Sequence, residues 1–309
     1  KNQEGLDSVS KRITMPKRTS CLRCHSGSGG GPNFKRGDIE YALADTDRDF
    51  DVHMGTDGGD MRCMDCHAGA SHRMRGRGVD LMGSDSPDRL QCGDGACHEA
   101  DPHGKELLNR HAARVDCTTC HIPVFAKEDA TDMVRDWSTP AYSEAKDKHI
   151  PTFTMGSNVE PEIAWYNGTV WAQLPGVPVT TDDDGVVTMV VPQGSRNDPE
   201  AKLFPFKVHR GMMPVAKESR WILPINVEEF FADGNIDGAV REASHVLYGI
   251  EDFDYEWMPV RRYMGIFHEV QPADNALRCL DCHGPDGRLD WSILGYEADP
   301  LAAALTASH

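Results

Sequence analysis

Aromatic residues make up only 7% of this 309-residue chain, and hydrophobic residues 39%. So lean a composition leaves few large side chains for the core, and points to something other than side chains filling part of it. Positive charge is also short: 32 Lys and Arg stand against 49 Asp and Glu, a formal net charge of -17. That balance excludes the basic footprint of a nucleic-acid-binding protein. A partner steered by charge would have to be basic. No apolar run approaches the length of a membrane span. The first residues, "KNQEGLDSVS", lack the apolar core of a signal peptide, so a signal has been removed or none existed.

What the chain does have is ten cysteines, grouped in five pairs. They are "CLRCH" (Cys21, Cys24, His25), "CMDCH" (Cys63, Cys66, His67), "CGDGACH" (Cys92, Cys97, His98), "CTTCH" (Cys117, Cys120, His121) and "CLDCH" (Cys279, Cys282, His283). Every second cysteine is followed by histidine. With 14 histidines in 309 residues, the chance of five such coincidences is roughly 2 × 10⁻⁷, which favours the haem-attachment reading of Cys-x-x-Cys-His. Disulfides need no following histidine, and structural zinc sites do not fuse a histidine to every pair. The motif has a direct logic: two thiols form thioethers with the haem vinyl groups, and the adjacent imidazole is held beneath the iron. The expected cofactors are therefore five covalent haem c groups, with His25, His67, His98, His121 and His283 as proximal ligands. "CGDGACH" departs from the rule by two extra residues. Gly93 and Gly95 can take positive φ and bulge them outward, while Cys97 and His98 keep the essential pair.

Nine histidines remain. An electron-transfer haem takes a sixth ligand, His or Met, that keeps its iron low-spin and closed to substrate. His53, His72, His103 and His111 lie among the motifs and His268 precedes the fifth, so these five are the candidate distal ligands. His209 and His245 are reserves, His149 is a weaker candidate, and His309 reads as a surface residue.

Along the chain, residues 1–20 read as a polar leader and 21–121 as a four-haem block. Residues 122–270 are a non-haem insert, and 271–309 carry the fifth haem and a tail, all within one haem-cored domain. The expected fold is a multihaem cytochrome c of mainly short α-helices and irregular coil around the haems, with a small β-hairpin-containing insert. A short helix fits 105–114, and 227–248 has helical stretches. "VPVTTDDDGVVTMVV" reads as two strands around an Asp-Gly turn. Trp137, Trp165 and Trp171 are expected to pack over porphyrins or one another. "DGNIDG" at 233–238 is similar to the start of a calcium loop, but Ser244 stands where its last acid belongs. Calcium there, or at the acidic run 45–51, is the lesser reading.

Several segments carry a resemblance to a known family. They are "SGSGGGPNFKRGDI", "DVHMGTDGGDMRCMDCH", "CTTCHIPVFAK", "DWST", "AWYNG", "NDPEAKLFPFKVHRG" and "QPADNALRCLDCHGPDGRLDWSILGYEADP". In this order they resemble the last five-haem part of the octahaem tetrathionate reductase family of multihaem cytochromes. The resemblance implies that His53, His72, His103, His111 and His268 are distal ligands. It also implies a reaction site at an early, lysine-ligated haem. No counterpart of that haem exists among these residues, and all five motifs here end in histidine. Tetrathionate reduction is therefore not carried over.

The resulting expectation is an electron carrier, not an enzyme. It would be a pentahaem cytochrome of closely packed, mostly bis-histidine haems, passing electrons between a redox donor and acceptor in anaerobic respiration. One alternative is a reductase of a small sulfur or nitrogen oxyanion at an open haem, with Arg210, Arg261 and Arg262 as charge donors. Another is a subunit of an extracellular haem filament or of a larger multihaem complex. Covalent haem attachment is expected to follow export, which places the chain in the periplasm or outside the cell.

Overall fold

The computed structural model describes residues 11, 15–67, 69–70, 73–74, 90–93, 95 and 97–307. Its haem-motif segments fold as very short helices: α1 (Arg18–His25), α2 (Cys63–Cys66), α4 (Cys117–His121) and α7 (Cys279–Cys282). Helices this short are marginal alone, so their starts need support. The backbone N–H of Arg62 donates to the Asp65 carboxylate at 2.7 Å, and that of Arg278 donates to Asp281 at 2.6 Å. These are the reciprocal half of a capping box, written in the sequence as "RCMDCH" and "RCLDCH". In α4 the Asp116 side chain caps Thr118 N–H at 3.1 Å. Helix α3 (Glu106–Ala112) lies between the third and fourth motifs, and β1 (Gly69–Ala70) pairs antiparallel with β2 (Arg73–Met74).

The segment between the fourth and fifth motifs is a seven-stranded sheet, not a small hairpin. Its strands are β3 (Thr131–Ser143), β4 (Lys148–Gly156), β5 (Glu162–Tyr166), β6 (Val170–Ala172), β7 (Val187–Pro192), β8 (Lys202–Ala216) and β9 (Tyr255–Gly265). The order is β4-β3-β8-β9-β7-β6, with β5 also paired to β8. Strand β8 is the spine. Its Lys202–Phe206 half pairs antiparallel with β5, its Arg210–Met212 part runs parallel to β3, and β9 lines its other edge from Phe206 to Ala216. From Leu203 to Val208 every residue of β8 is buried. A strand covered on both faces reads as an apolar run without alternation, which hides it from a period-two search. One face packs Phe204, Phe206 and Val208 with Tyr166, Tyr263 and Phe267. Parallel pairings with distant partners hide the rest.

The expected hairpin at 177–191 is half present. Asp182–Gly185 turns the chain, with Gly185 at φ 76°, but a single bridge, Thr181 to Val187, precedes β7. Helices α5 (Val227–Asp233) and α6 (Ile236–Tyr248) account for the helical stretches. "DGNIDG" forms the junction between them. Gly234 ends α5 in the left-handed region at φ 74°, and the Asn235 side chain caps α6. Its side chains thus serve helix ends, and among the described residues no cluster of three His, Cys, Asp or Glu is arranged around a metal ion. In the acidic run, Asp47 caps Phe50 N–H at 2.8 Å. Trp137 packs edge-on against Phe230 at 5.3 Å. Trp165 donates to the Leu294 carbonyl at 2.9 Å, and Trp171 is 44% exposed. The tail after the fifth motif lays Leu289, Trp291, Leu294 and Tyr296 against Trp165 and Leu203, and α8 (Pro300–Ala307) follows.

Candidate haem-binding site

The sheet matters because its strand ends hold the motifs. Thr119 Oγ1 and Asp116 N–H both donate to the Leu203 carbonyl at the start of β8, at 2.9 Å each. Beyond β9, Gln271 N–H donates to the His121 carbonyl and Leu277 N–H to that of Cys120, at 2.8 and 2.9 Å. Residues 266–270 then run back to the first block. Glu269 N–H reaches the Asp51 carboxylate at 2.8 Å, and Val52 N–H reaches the Val270 carbonyl at 2.8 Å. Asp51 also accepts from His53 N–H and Met54 N–H. One buried carboxylate thus fixes the segments that carry both His53 and His268.

Four motif histidines each face a histidine from outside a motif. Ring centroids are 6.1 Å apart for His98 and His53, 6.1 Å for His67 and His268, 6.5 Å for His121 and His103, and 6.3 Å for His283 and His111. A metal–imidazole bond is about 2 Å, and a ring centre lies about 1.2 Å from its nitrogen, so two imidazoles on one metal have centroids roughly 6.4 Å apart. The four separations fit a six-coordinate iron between each pair. Metal-binding imidazole must be neutral at the ligating nitrogen. Burial holds His53 below the ordinary imidazole range; the nearby Asp51 pushes it up, and His98 and His268 push it down. Burial also lowers His121, with His103, His98 and His53 adding to the effect.

Outer partners fix the other ring nitrogen of several of these histidines, which sets tautomer and orientation. Asp38 takes His268 Nδ1 at 3.1 Å, Asp299 takes His283 Nδ1 at 2.6 Å, the Leu107 carbonyl takes His111 Nδ1 at 2.8 Å, and Asn109 Oδ1 takes His103 Nδ1 at 3.1 Å. Asp38 is fully buried; burial alone would raise its carboxyl, but Arg36 and His268 hold it well below the usual carboxylate range. Sequence reasoning missed Asp38, Asp51, Asn109 and Asp299. Only Asp51, two residues before His53, stands near enough in sequence to have been a signal.

The long motif keeps the closure of the regular ones. His67 N–H donates to the Cys63 carbonyl at 2.8 Å and His283 N–H to that of Cys279 at 2.9 Å; His98 N–H likewise donates to the Cys92 carbonyl, at 3.1 Å. Gly95 turns the extra residues at φ 80° and its N–H returns to the His98 carbonyl; Gly93 is not among the positive-φ glycines. No disulfide joins any of the ten cysteines, and Cys24, Cys97 and Cys279 are exposed. Thiols of successive motifs adjoin. Burial and a hydrogen-bonded Cys21 push Cys63 up to about 11. Burial raises Cys66 with Cys97 beside it, and raises Cys120 to about 12 with Cys282 beside it.

The remaining histidines go elsewhere. His209 lies 3.3 Å from Asp132, His245 lies 3.4 Å from Glu251 on the surface, and His149 packs edge-on to Tyr142 at 5.2 Å. His72 and His309 lie outside the described residues. Arg210 pairs with Glu162 at 2.8 Å and Arg261 with Asp182 at 2.6 Å. These are ordinary ion pairs.

Comparison with known proteins agrees with this chemistry. An octaheme cytochrome c from Shewanella oneidensis has a similar structure, with a TM-score of 0.82 at 32% identity over 96% of this chain and 70% of that one. A protein of Archaeoglobus fulgidus described as uncharacterized is 36% identical over 93 residues, 29% of this chain and 28% of its own length. The family model "Cytochrome c bacterial" matches residues 126–286. Fold and motifs together define a multihaem c-type cytochrome. The match covers more than half of the chain, and the chain belongs to the bacterial cytochrome c family.

Proposed function

We propose that the chain carries five haem c groups, each closed by two histidines, and conducts electrons between redox partners. The observation that carries this reading is the set of four imidazole pairs with centroids 6.1–6.5 Å apart. The proposed pairs are His67 with His268, His98 with His53, His121 with His103, and His283 with His111. For the first motif we take His72, a distal candidate the resemblance implies, as the second ligand opposite His25. The haems supply reversible one-electron chemistry; the chain supplies ligands, spacing and exclusion of substrate from the irons.

Adjacent cysteines support a relay in chain order. Cys21 meets Cys63, Cys66 lies beside Cys97, and Cys120 lies beside Cys282. The reading takes the haem scaffold from the octahaem tetrathionate reductase resemblance and leaves the activity aside. Periplasmic or extracellular location and basic redox partners are part of the proposal, the latter from the -17 charge. Intact mass is the test. The purified protein should weigh the chain plus five haems; four would point to Cys92–His98 as the failed site and would contradict the pentahaem reading.

A further inference from the structure

Among the described residues, the partners of the ligand histidines are not equivalent. Asp299, in the tail, accepts from His283 Nδ1 at 2.6 Å. Its other contacts are backbone N–H donors: Gly284 at 2.7 Å on Oδ2 and Leu301 at 2.9 Å on Oδ1. Both side chains are only 14% exposed. Trp291 stacks on the His283 ring, with centroids 4.9 Å and planes 16° apart, and so blocks ring rotation. Across the pair, His111 Nδ1 meets a neutral carbonyl.

Contrast Asp38 at His268. There the hydrogen bond is longer, 3.1 Å, and Arg36 lies 3.3 Å from the same carboxylate and neutralises it. Among the described residues, Asp299 forms its ion pair with His283 itself. At His103 the partner is an uncharged amide. A full negative charge in a short hydrogen bond to a half-enclosed imidazole makes that ring a stronger electron donor to a bound metal. It also favours the more positive oxidation state of the metal.

We propose that Asp299 is a positioning and tuning residue for the fifth haem, holding His283 in its metal-binding tautomer and lowering the reduction potential of that haem. This rests on the haem ligation proposed above. On reduction one electron is added, and the Nδ1 proton remains in the hydrogen bond, so no proton is gained or lost.

The test is a potentiometric titration of the holoprotein followed by its haem absorbance, for wild type, Asp299→Asn and Asp299→Glu. Asn removes the charge; Glu keeps it. The expected result is that Asp299→Asn raises one of the five potentials by a tenfold or larger shift in its oxidised-to-reduced ratio, about 59 mV for one electron. The other potentials stay in place, and Asp299→Glu returns most of the shift. Unchanged potentials in Asp299→Asn, or equal shifts in both variants, overturn the inference. Intact mass and the oxidised EPR spectrum of the same wild-type sample separate the two levels. Five low-spin haems with an unmoved potential sink Asp299 alone, whereas fewer haems or a high-spin iron sink the ligation and this inference with it.

Discussion

Lys207 is fully buried in the middle of β8, and its ammonium has three acceptors: Phe34 O at 2.8 Å, Lys35 O at 3.0 Å and Thr131 Oγ1 at 2.6 Å. Burial pushes it down to about 7 from 10.5, with Asp132 opposing the shift. Between those values the unfolded chain holds a proton that the folded chain has released, so stability rises with pH from about 7 to 10.5 and levels off outside that window. The slope from this one group is at most about 1.4 kcal/mol per pH unit. Lys207→Met should remove its share of the slope, read by denaturant unfolding at pH 7, 8 and 9. A variant with the wild-type slope would show that the lysine stays charged. In the long motif, Cys92→Ala with Cys97→Ala should lower the haem count by one, by mass, and leave the other four. The Cys-His motifs were legible because chemistry fixes their residues in sequence. Asp38 and Asp299 were not, because a hydrogen bond across 230 or 16 residues leaves no local pattern.

At the scale of elements, β8 joins the sheet to the haem segments, so its core positions should dominate stability. Phe206 is fully buried between Tyr166, Phe204 and Tyr263. Phe206→Ala should cost about 3–5 kcal/mol, measured by thermal or denaturant unfolding, with the covalent haem count unchanged. A loss under about 1 kcal/mol would mean that the haems, not the sheet, dominate the core. The helices α3, α5 and α6 were readable from sequence, since Asn226 and Asn235 cap starts and Gly234 and Gly249 end helices. The sheet was not. Strand β3 is largely polar, "TDMVRDWSTPAYS", and β8 carries Pro205 and Pro214, residues that normally argue against a central strand. Its pairings also join β3 to β8 and β7 to β9 in parallel, across long stretches of chain.

For the whole molecule, sequence named candidate distal histidines as a set and left their pairing open; four of them face motif histidines. Nine histidines beside five motifs made the supply plain, but the sheet decides the partners. It returns residues 266–270 to the first block, which brings His268 to His67, while α3 offers His111 to the fifth motif. Under the proposed ligation every such pairing would close an iron on both sides, and a closed iron would carry electrons and bind no substrate. The EPR spectrum of the oxidised protein tests this most directly, with carbon monoxide added to the reduced form as a check. The account predicts five low-spin ferric haems, no high-spin signal and no carbon monoxide binding. A high-spin iron, or a haem that takes carbon monoxide, would contradict it and mark a reaction site in place of a relay.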